Sequence, residues 1–561
     1  MHFADIQDFA DNSEIHTDIC IVGSGPAGIS VAKEFLNTEF DVCIVESGGR
    51  TKEPETQSLS EIENIGIERR MPQELVRQRV YGGSSTTWSG RCASFDPIDF
   101  ASRDWIPNSG WPIKPEELNP YLERANEYLG LGPNIYDESL FDLLKLKRPK
   151  PEIDNQYLKP TFWQFSKSKQ SPGKVMVFGQ DLVTQDTPNL RTILHANLVH
   201  INTDDTGARV ESLDLKSLEG KKLRIKAKTV VLCCGGIENA RLLLASNKVI
   251  PEGVGNKHDT VGRYLMDHIG AAIGTFDPSI SSDLQSRFGR YWLDNRGTQQ
   301  SYLHGIALSE KVQTDEKLLN AAAFLEEYVS PNDPWNALKR FTAKLLHGKN
   351  YQTNNSDDEN MFWLDDSFSS ANQKSISFGS DCVCILANIP SILKNLYRKK
   401  INHRPPITKN AQVDLYTLIE QSPKRESRIT LSSQIDALGM PISKINWVID
   451  EKERTTARRL GEIISSEFKR IGLTPPILAQ WLFTEDNWQS NFTDRAHPTG
   501  STRMSADPKE GVVDSNCNVH GVEGLFIAGS SIFPTSGHAN PTLMIVAMAI
   551  RLADWLKTTR R

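Results

Sequence analysis

Two short segments near the end of the chain carry the side chains best suited to chemistry. In 497-HPTGSTRMS-505 a histidine leads a stretch with no hydrophobic period, and Asn540 precedes Pro541 in 534-PTSGHANPTL-543. An imidazole, with an ordinary pKa near 6.5, can take and return a proton close to neutral pH. An amide beside it can hold an oxygen by a hydrogen bond. Each residue also has a plainer use. His497 could be a turn histidine bonded to backbone, and an Asn-Pro pair is a good helix N-cap with proline at the first helical position.

Such side chains need a scaffold, and its clearest part is 17-TDICIVGSGPAGISVAKEFLNTEFDVCIVESG-48. Asp18 to Val22 is a short apolar run of strand type, followed by a glycine turn and a helical pattern through Ile29, Ala32 and Phe35. A second apolar run, Asp41 to Val45, ends in Glu46. In this setting Gly23, Gly25 and Gly28 spell the G-x-G-x-x-G of a dinucleotide-binding βαβ unit, with Pro26 and Ala27 between them. The first glycine permits the tight turn, the second lets backbone approach a pyrophosphate, and the third lets helix and strand pack closely. Glu46 stands where an acid accepts from a ribose diol and disfavours a 2′-phosphate. FAD and NAD both satisfy this unit.

Length and composition bound the rest. With 561 residues the chain exceeds one ordinary core, so two domains interleaved in sequence are expected. A net charge of −6 argues against nucleic acid as the main partner. The acidic start MHFADIQDFADNSEIH lacks a signal-peptide pattern, and no apolar run reaches the roughly 18–20 residues that span a bilayer. Eight scattered cysteines, several inside strand-like runs, form no zinc spacing; they suggest a reduced, cytoplasmic protein without a metal.

Further pieces of the nucleotide unit come later. Residues 190–204 and 222–246 predict strand, hairpin and strand, then a Gly235-Gly236 turn into a helix; Thr229 to Cys233 is apolar throughout, as for a strand buried on both faces. Gly82, Gly83, Ser84 and Ser85 can offer backbone N–H groups and hydroxyls at close range, or form a plain surface loop.

These pieces together resemble the glucose–methanol–choline (GMC) family of FAD-dependent oxidoreductases. The motifs stand in the family's order: GSGPAG with Glu46, YGGSSTTW at 81–88, CCGGIENARLLL at 233–244, VGRYLMDH at 261–268, EQSPKRESRITLS at 420–432, HPTGSTRMS at 497–505, and the run from 511 to 543. In detail they are similar to the branch with pyranose oxidases and bacterial sugar or polyol dehydrogenases. The resemblance implies FAD rather than NAD, bound by Gly23, Gly25, Pro26, Ala27, Gly28, Glu46, Gly82, Gly83, Ser84, Ser85, Thr87, Ser89, Val199 and Gly235. The later segments Gly529, Ser530, Ser531, Asn540, Pro541 and Thr542 are implied to join them. In relatives that tether FAD covalently a histidine stands where this chain has Thr87, so non-covalent FAD is expected. His497 falls at the family's catalytic base and Asn540 at its partner; His538 either touches substrate or packs, and His268 is expected to be structural.

The implied fold is α/β plus α+β: a Rossmann-like FAD-binding domain from residues 1–100, 186–270 and 496–561, with 101–185 as a connecting or substrate-side insertion. Residues 271–495 are expected to build a substrate domain on an antiparallel sheet. There Asp414 to Glu420 and Ser427 to Leu431 predict consecutive strands around a turn, and Thr455 to Phe468 a helix. The interval 330–410 is the least family-like. It holds an amphipathic basic segment from Trp335, with Leu338, Phe341 and Leu345 on one side, an acidic stretch at 354–360, and 394-KNLYRKKINHRPP-406. The basic segment suits a membrane surface, a redox partner or a sister subunit, or simply a lid.

The expected function is oxidation of an alcohol of a sugar-like, glycoside or polyol substrate. The electron acceptor is open between O₂, a quinone and a redox protein. A flavin-retaining lyase, an oxidase of a non-sugar alcohol and a redox-dead scaffold are the competing readings; intact His497 and Asn540 argue against the last.

Overall fold

A strand that is apolar on both faces needs a neighbour on each edge. In the computed structural model of the chain Ser13–Val22 finds them in Val42–Val45 and Lys222–Leu232, both parallel. The structure describes residues 2–171, 174–183, 185, 187–295, 298–347, 378–401 and 404–559. Leu190–Leu194 adds to Val42–Val45, His2–Asp5 forms the edge beyond it, and Leu525–Ile527 pairs with the end of Lys222–Leu232, again in parallel. Val42 to Val45 and Val230 to Leu232 are each at most 1% exposed, which accounts for their uninterrupted apolar sequence. The hairpin of Asn197–Thr203 and Val210–Lys216 extends the sheet antiparallel through Lys222–Leu232.

The parallel strands end together, and there the chain turns into helices Pro26–Glu34 and Gly235–Ala245. Gly28 sets the closeness of the first turn: a Cβ added there would lie 1.9 Å from the Gly23 carbonyl oxygen. Helix propensity alone would make Gly28→Ala stabilising by about 1 kcal/mol. The clash with fixed backbone reverses that sign, and a net loss of about 2–3 kcal/mol is expected, read as a lower Tm of the FAD-loaded protein.

A nine-stranded sheet, antiparallel throughout, is the second layer. Its strands come mostly from 269–494, but Arg91–Cys92 and Leu158–Phe165 join it from before the second part of the parallel sheet. Helix Glu451–Arg470 covers it, capped by Asp450, with Ala457, Leu460, Ile464 and Phe468 buried at helical spacing.

The two strands around 423-PKRE-426 form, as Asn410–Ile419 and Arg428–Ile435, but they do not pair with each other. The first lies in the nine-stranded sheet and the second in a separate three-stranded sheet with Pro441–Asn446 and Ile62–Asn64. The linking residues are drawn inward instead: Glu420 takes a buried ion pair from Arg103, and Gln421 accepts from the Asp267 N–H at 2.8 Å and from the Trp447 indole at 2.9 Å.

In the least family-like interval, Pro334–His347, Phe378–Ala387 and Ile389–Lys400 are helices. Trp335 is buried and Phe341 stacks on Phe378 with ring centres 5.1 Å apart, whereas Leu345 is exposed, so the expected apolar side of the first helix is mostly used in packing. The acidic stretch 354–360 lies outside the described residues. Among the described residues no helix is long and apolar enough to cross a membrane.

Candidate active site

The loops at the ends of the parallel strands enclose a cleft of about 300 Å³. Its walls include the first residues of three helices: Gly25 to Ala27, Gly235 to Ile237, and Pro541 to Thr542. Helix N-termini present unpaired N–H groups and a positive dipole end, so three of them on one cleft suit the phosphates of a dinucleotide. The backbone leaves room for such a ligand. At Gly235, with φ +84°, an added Cβ would meet nothing within 4 Å, whereas one at Gly83 (φ +57°) would lie 2.7 Å from the Gly25 Cα, so the two glycine loops touch. Glu46 lines the same wall, its carboxylate accepting from Ser24 N–H at 3.0 Å, Ser24 Oγ–H at 2.6 Å and Gly48 N–H at 2.9 Å. Burial pushes its pKa up against those hydrogen bonds. The residues present therefore fit a dinucleotide.

A charged cluster that the sequence did not disclose holds this end together. Glu238 accepts from Arg77, Arg79 and Arg241, each at 3.0 Å, and Arg241 also reaches Asp436 at 2.5 Å. Burial works to raise the Glu238 pKa, but the three guanidiniums hold it down to about 2. One helix and two distant loops are thereby tied across the cleft.

At the other end, three segments far apart in sequence are laced by backbone hydrogen bonds. Met266 and Thr499 exchange both of theirs, at 3.0 and 2.9 Å. Gly500, Thr502 and Met504 then donate to Ser530, Ser531 and Ile532 at 3.2, 2.9 and 2.8 Å. The His497 N–H donates to Asp267 Oδ1 at 3.0 Å. Asp267 in turn faces buried Arg69, which also pairs with Asp494 at 3.1 Å. His497 and Asn540 thus come to line one cleft, with Arg91 and Arg495 beside them. Asn540 is buried, and its Oδ1 has no hydrogen-bond partner among the described residues.

His268 fixes which nitrogen of His497 is free. Its Nε2 lies 2.9 Å from the Ser536 carbonyl oxygen, which can only accept, so Nε2 carries the proton. The bare Nδ1 of His268 then accepts from His497 Nδ1–H at 3.2 Å, the rings meeting edge to face at 82°. What remains on His497 is Nε2 with its lone pair. Both imidazoles are kept neutral. Burial draws the His268 pKa down to about 4, and burial with the nearby His268, Arg495, Arg91 and Arg69 draws that of His497 well below its ordinary value. His268 was expected to be structural from sequence; here it touches the candidate base.

Most of the residues expected at the cofactor line the cleft: Gly23, Gly25, Pro26, Ala27, Glu46, Gly83, Ser84, Ser85, Thr87, Ser89, Gly235, Gly529, Ser530, Asn540, Pro541 and Thr542. Five expected site residues lie off its wall. Gly28 packs on Gly23, and Gly82 turns the chain with φ +96°. Ser531 Oγ accepts from Asn239 at 3.0 Å. Val199 is off the wall, which its neighbours Ala196, Asn197 and Leu198 line. His538 is 2% exposed, edge-on to Trp163 and 3.7 Å from Asp96, and is a packed residue in this structure.

Residues 423–549 match the family model described as GMC oxidoreductase. The chain is 22% identical to the 2-methyl-1,2-propanediol dehydrogenase of Mycolicibacterium austroafricanum, over 96% of this chain and 95% of that one. It is likewise 22% identical to the 6'''-hydroxyparomomycin C oxidase of Streptomyces lividus, over 95% and 90%. Among solved structures, the formate oxidase of Aspergillus oryzae RIB40 shares the fold with a TM-score of 0.53 at 17% identity, covering 98% of this chain and 99% of that one.

Proposed function

We propose that this chain is a GMC oxidoreductase, of a family of FAD-binding enzymes that act on CH–OH groups, and that it oxidises an alcohol of a sugar-like, glycoside or polyol substrate, with His497 as the base. The observation that carries the proposal is the neutral His497 ring, whose Nδ1 is committed to His268 and whose Nε2 is left for the substrate hydroxyl. FAD, when bound, supplies the hydride acceptor at its N5. His497 Nε2 takes the hydroxyl proton, and the Asn540 amide donates to the same substrate oxygen. The N-terminus of helix Thr542–Thr559 adds a positive dipole end beside them. The two relatives act, by their names, on a diol and on a hydroxyparomomycin, which supports a substrate of several hydroxyls.

Within this reading 1–100, 186–270 and 496–561 form a Rossmann-like FAD-binding part and 271–495 the substrate part. Anaerobic mixing with a panel of sugars, glycosides, polyols and simple alcohols tests the reading: one class should bleach the flavin, and admitting air then separates an oxidase from a dehydrogenase that needs a quinone or protein acceptor. FAD retained but bleached by none would favour a lyase. FAD is held without a covalent bond, because the Thr87 hydroxyl, which donates to Ser84 O at 3.3 Å, offers no ring nitrogen for attachment. Acid precipitation is expected to release all yellow colour into the supernatant; colour in the pellet would overturn this.

A further inference from the structure

Among the described residues, exposed large apolar side chains are concentrated on the helix pair Phe378–Ala387 and Ile389–Lys400. Val383, Leu386, Leu393, Tyr397 and Ile401 are each between 59% and 70% exposed, with Ile389 between them at 46%. Along the second helix and its cap Ile389, Leu393, Tyr397 and Ile401 step by four residues and form one stripe, with Val383 and Leu386 exposed on the helix before it. The pair is anchored by its other side. Ile392 is buried, Asn395 exchanges hydrogen bonds with Ile407 at 2.8 and 2.9 Å, and Asp381 is 1% exposed and paired with Arg340 at 2.7 Å. The outward apolar face is therefore a built feature of the surface.

Its charge is one-sided. Asp381 is the only acid from 378 to 401 and is buried, while Lys394, Lys399 and Lys400 are exposed. A basic rim around an apolar stripe, on a chain of net charge −6, has a defined complement. We propose that this helix pair docks the protein on the surface of a bilayer containing anionic phospholipid. The composition, mostly aliphatic, favours lipid over a protein partner: protein hot spots are rich in Trp, Tyr and Arg and poor in Leu and Val, and interfaces are depleted in Lys. Here the apolar face is Leu, Ile and Val with a single Tyr, edged by Lys, as in helices that lie in the interfacial plane. A second copy is disfavoured because a two-fold contact would set the lysines of both copies against each other. At 10 and 12 residues the helices lie on the bilayer and do not cross it.

Flotation of the full-length, FAD-loaded protein with vesicles tests this independently of the alcohol-oxidising reading. With phosphatidylcholine–phosphatidylglycerol vesicles at low salt the protein is expected to float; with phosphatidylcholine alone, or at high salt, much less. Leu386→Glu with Leu393→Glu should abolish flotation while the flavin spectrum stays unchanged. Lys394→Glu, Lys399→Glu and Lys400→Glu should each weaken binding roughly fivefold or more. Failure to float with either vesicle overturns the proposal. So does a dimer, seen by light scattering, that the Leu386→Glu/Leu393→Glu variant loses, since the stripe would then be covered by a second copy.

Discussion

Replacing His497 with alanine is expected to slow substrate-driven bleaching of the flavin by about 10²–10⁴-fold, with FAD still bound. The size follows from what is removed: the ring lines the cleft and is the group placed to take the hydroxyl proton. Retention of FAD follows because the nucleotide end is held by other groups, the glycine loops, Glu46 and the Glu238–arginine cluster. Stopped-flow mixing under anaerobic conditions reads both, and a variant that bleaches at the wild-type rate would remove His497 from the mechanism. The pH profile gives a second check. Only the neutral ring can accept a proton, and burial with its cationic neighbours holds the His497 pKa well below the ordinary value. The base form therefore persists as pH falls through about 6.5, where an unperturbed histidine would be half protonated. The wild-type bleaching rate should be flat there and fall only at lower pH; a fall centred near 6.5 would mean a solvated imidazole.

How much of this site could be read from sequence depends on the range of the interactions that make it. Gly23, Gly25, Gly28 and Glu46 were legible because turn, helix and strand signals sit within one βαβ unit. Gly28 packs on the Gly23 carbonyl, the close approach the third glycine of the motif is read for, and lies off the cleft wall. His497 and Asn540 were legible as motif positions, but their meeting in one cleft rests on lacing such as Met266 with Thr499, which no local pattern announces. Val199 does not line the cleft although its neighbour Leu198 does, and the strand register between Leu198 and His200 is irregular. The strands on either side of Pro423 were found, but their pairing was not. Whether neighbouring strands pair is settled by Gln421 and Glu420 reaching buried partners elsewhere. Arg69, Asp267 and Asp494 form a buried cluster from three distant places in the chain, each an ordinary surface-type residue when read alone.

His268 separates positioning from packing. His268→Phe keeps a buried ring of similar size but removes both the acceptor for His497 Nδ1–H and the donor to Ser536. His497 is then free to carry its proton on Nε2, the nitrogen that must be bare. A histidine in the wrong tautomer is a poor base, so bleaching should slow by about 10²-fold or more. Substrate affinity should change little, because His268 does not line the cleft. His268→Gln is the opposing variant: its carbonyl can accept from His497 while its amide donates to the Ser536 oxygen, so most of the rate should return, to within about tenfold of wild type. If His268 served only to fill space, the order would invert, with phenylalanine tolerated in the apolar surroundings and the buried amide costly. The rank of the two variants in the bleaching rate, measured beside their Tm values, decides between a histidine that sets the tautomer of the base and one that merely packs against it.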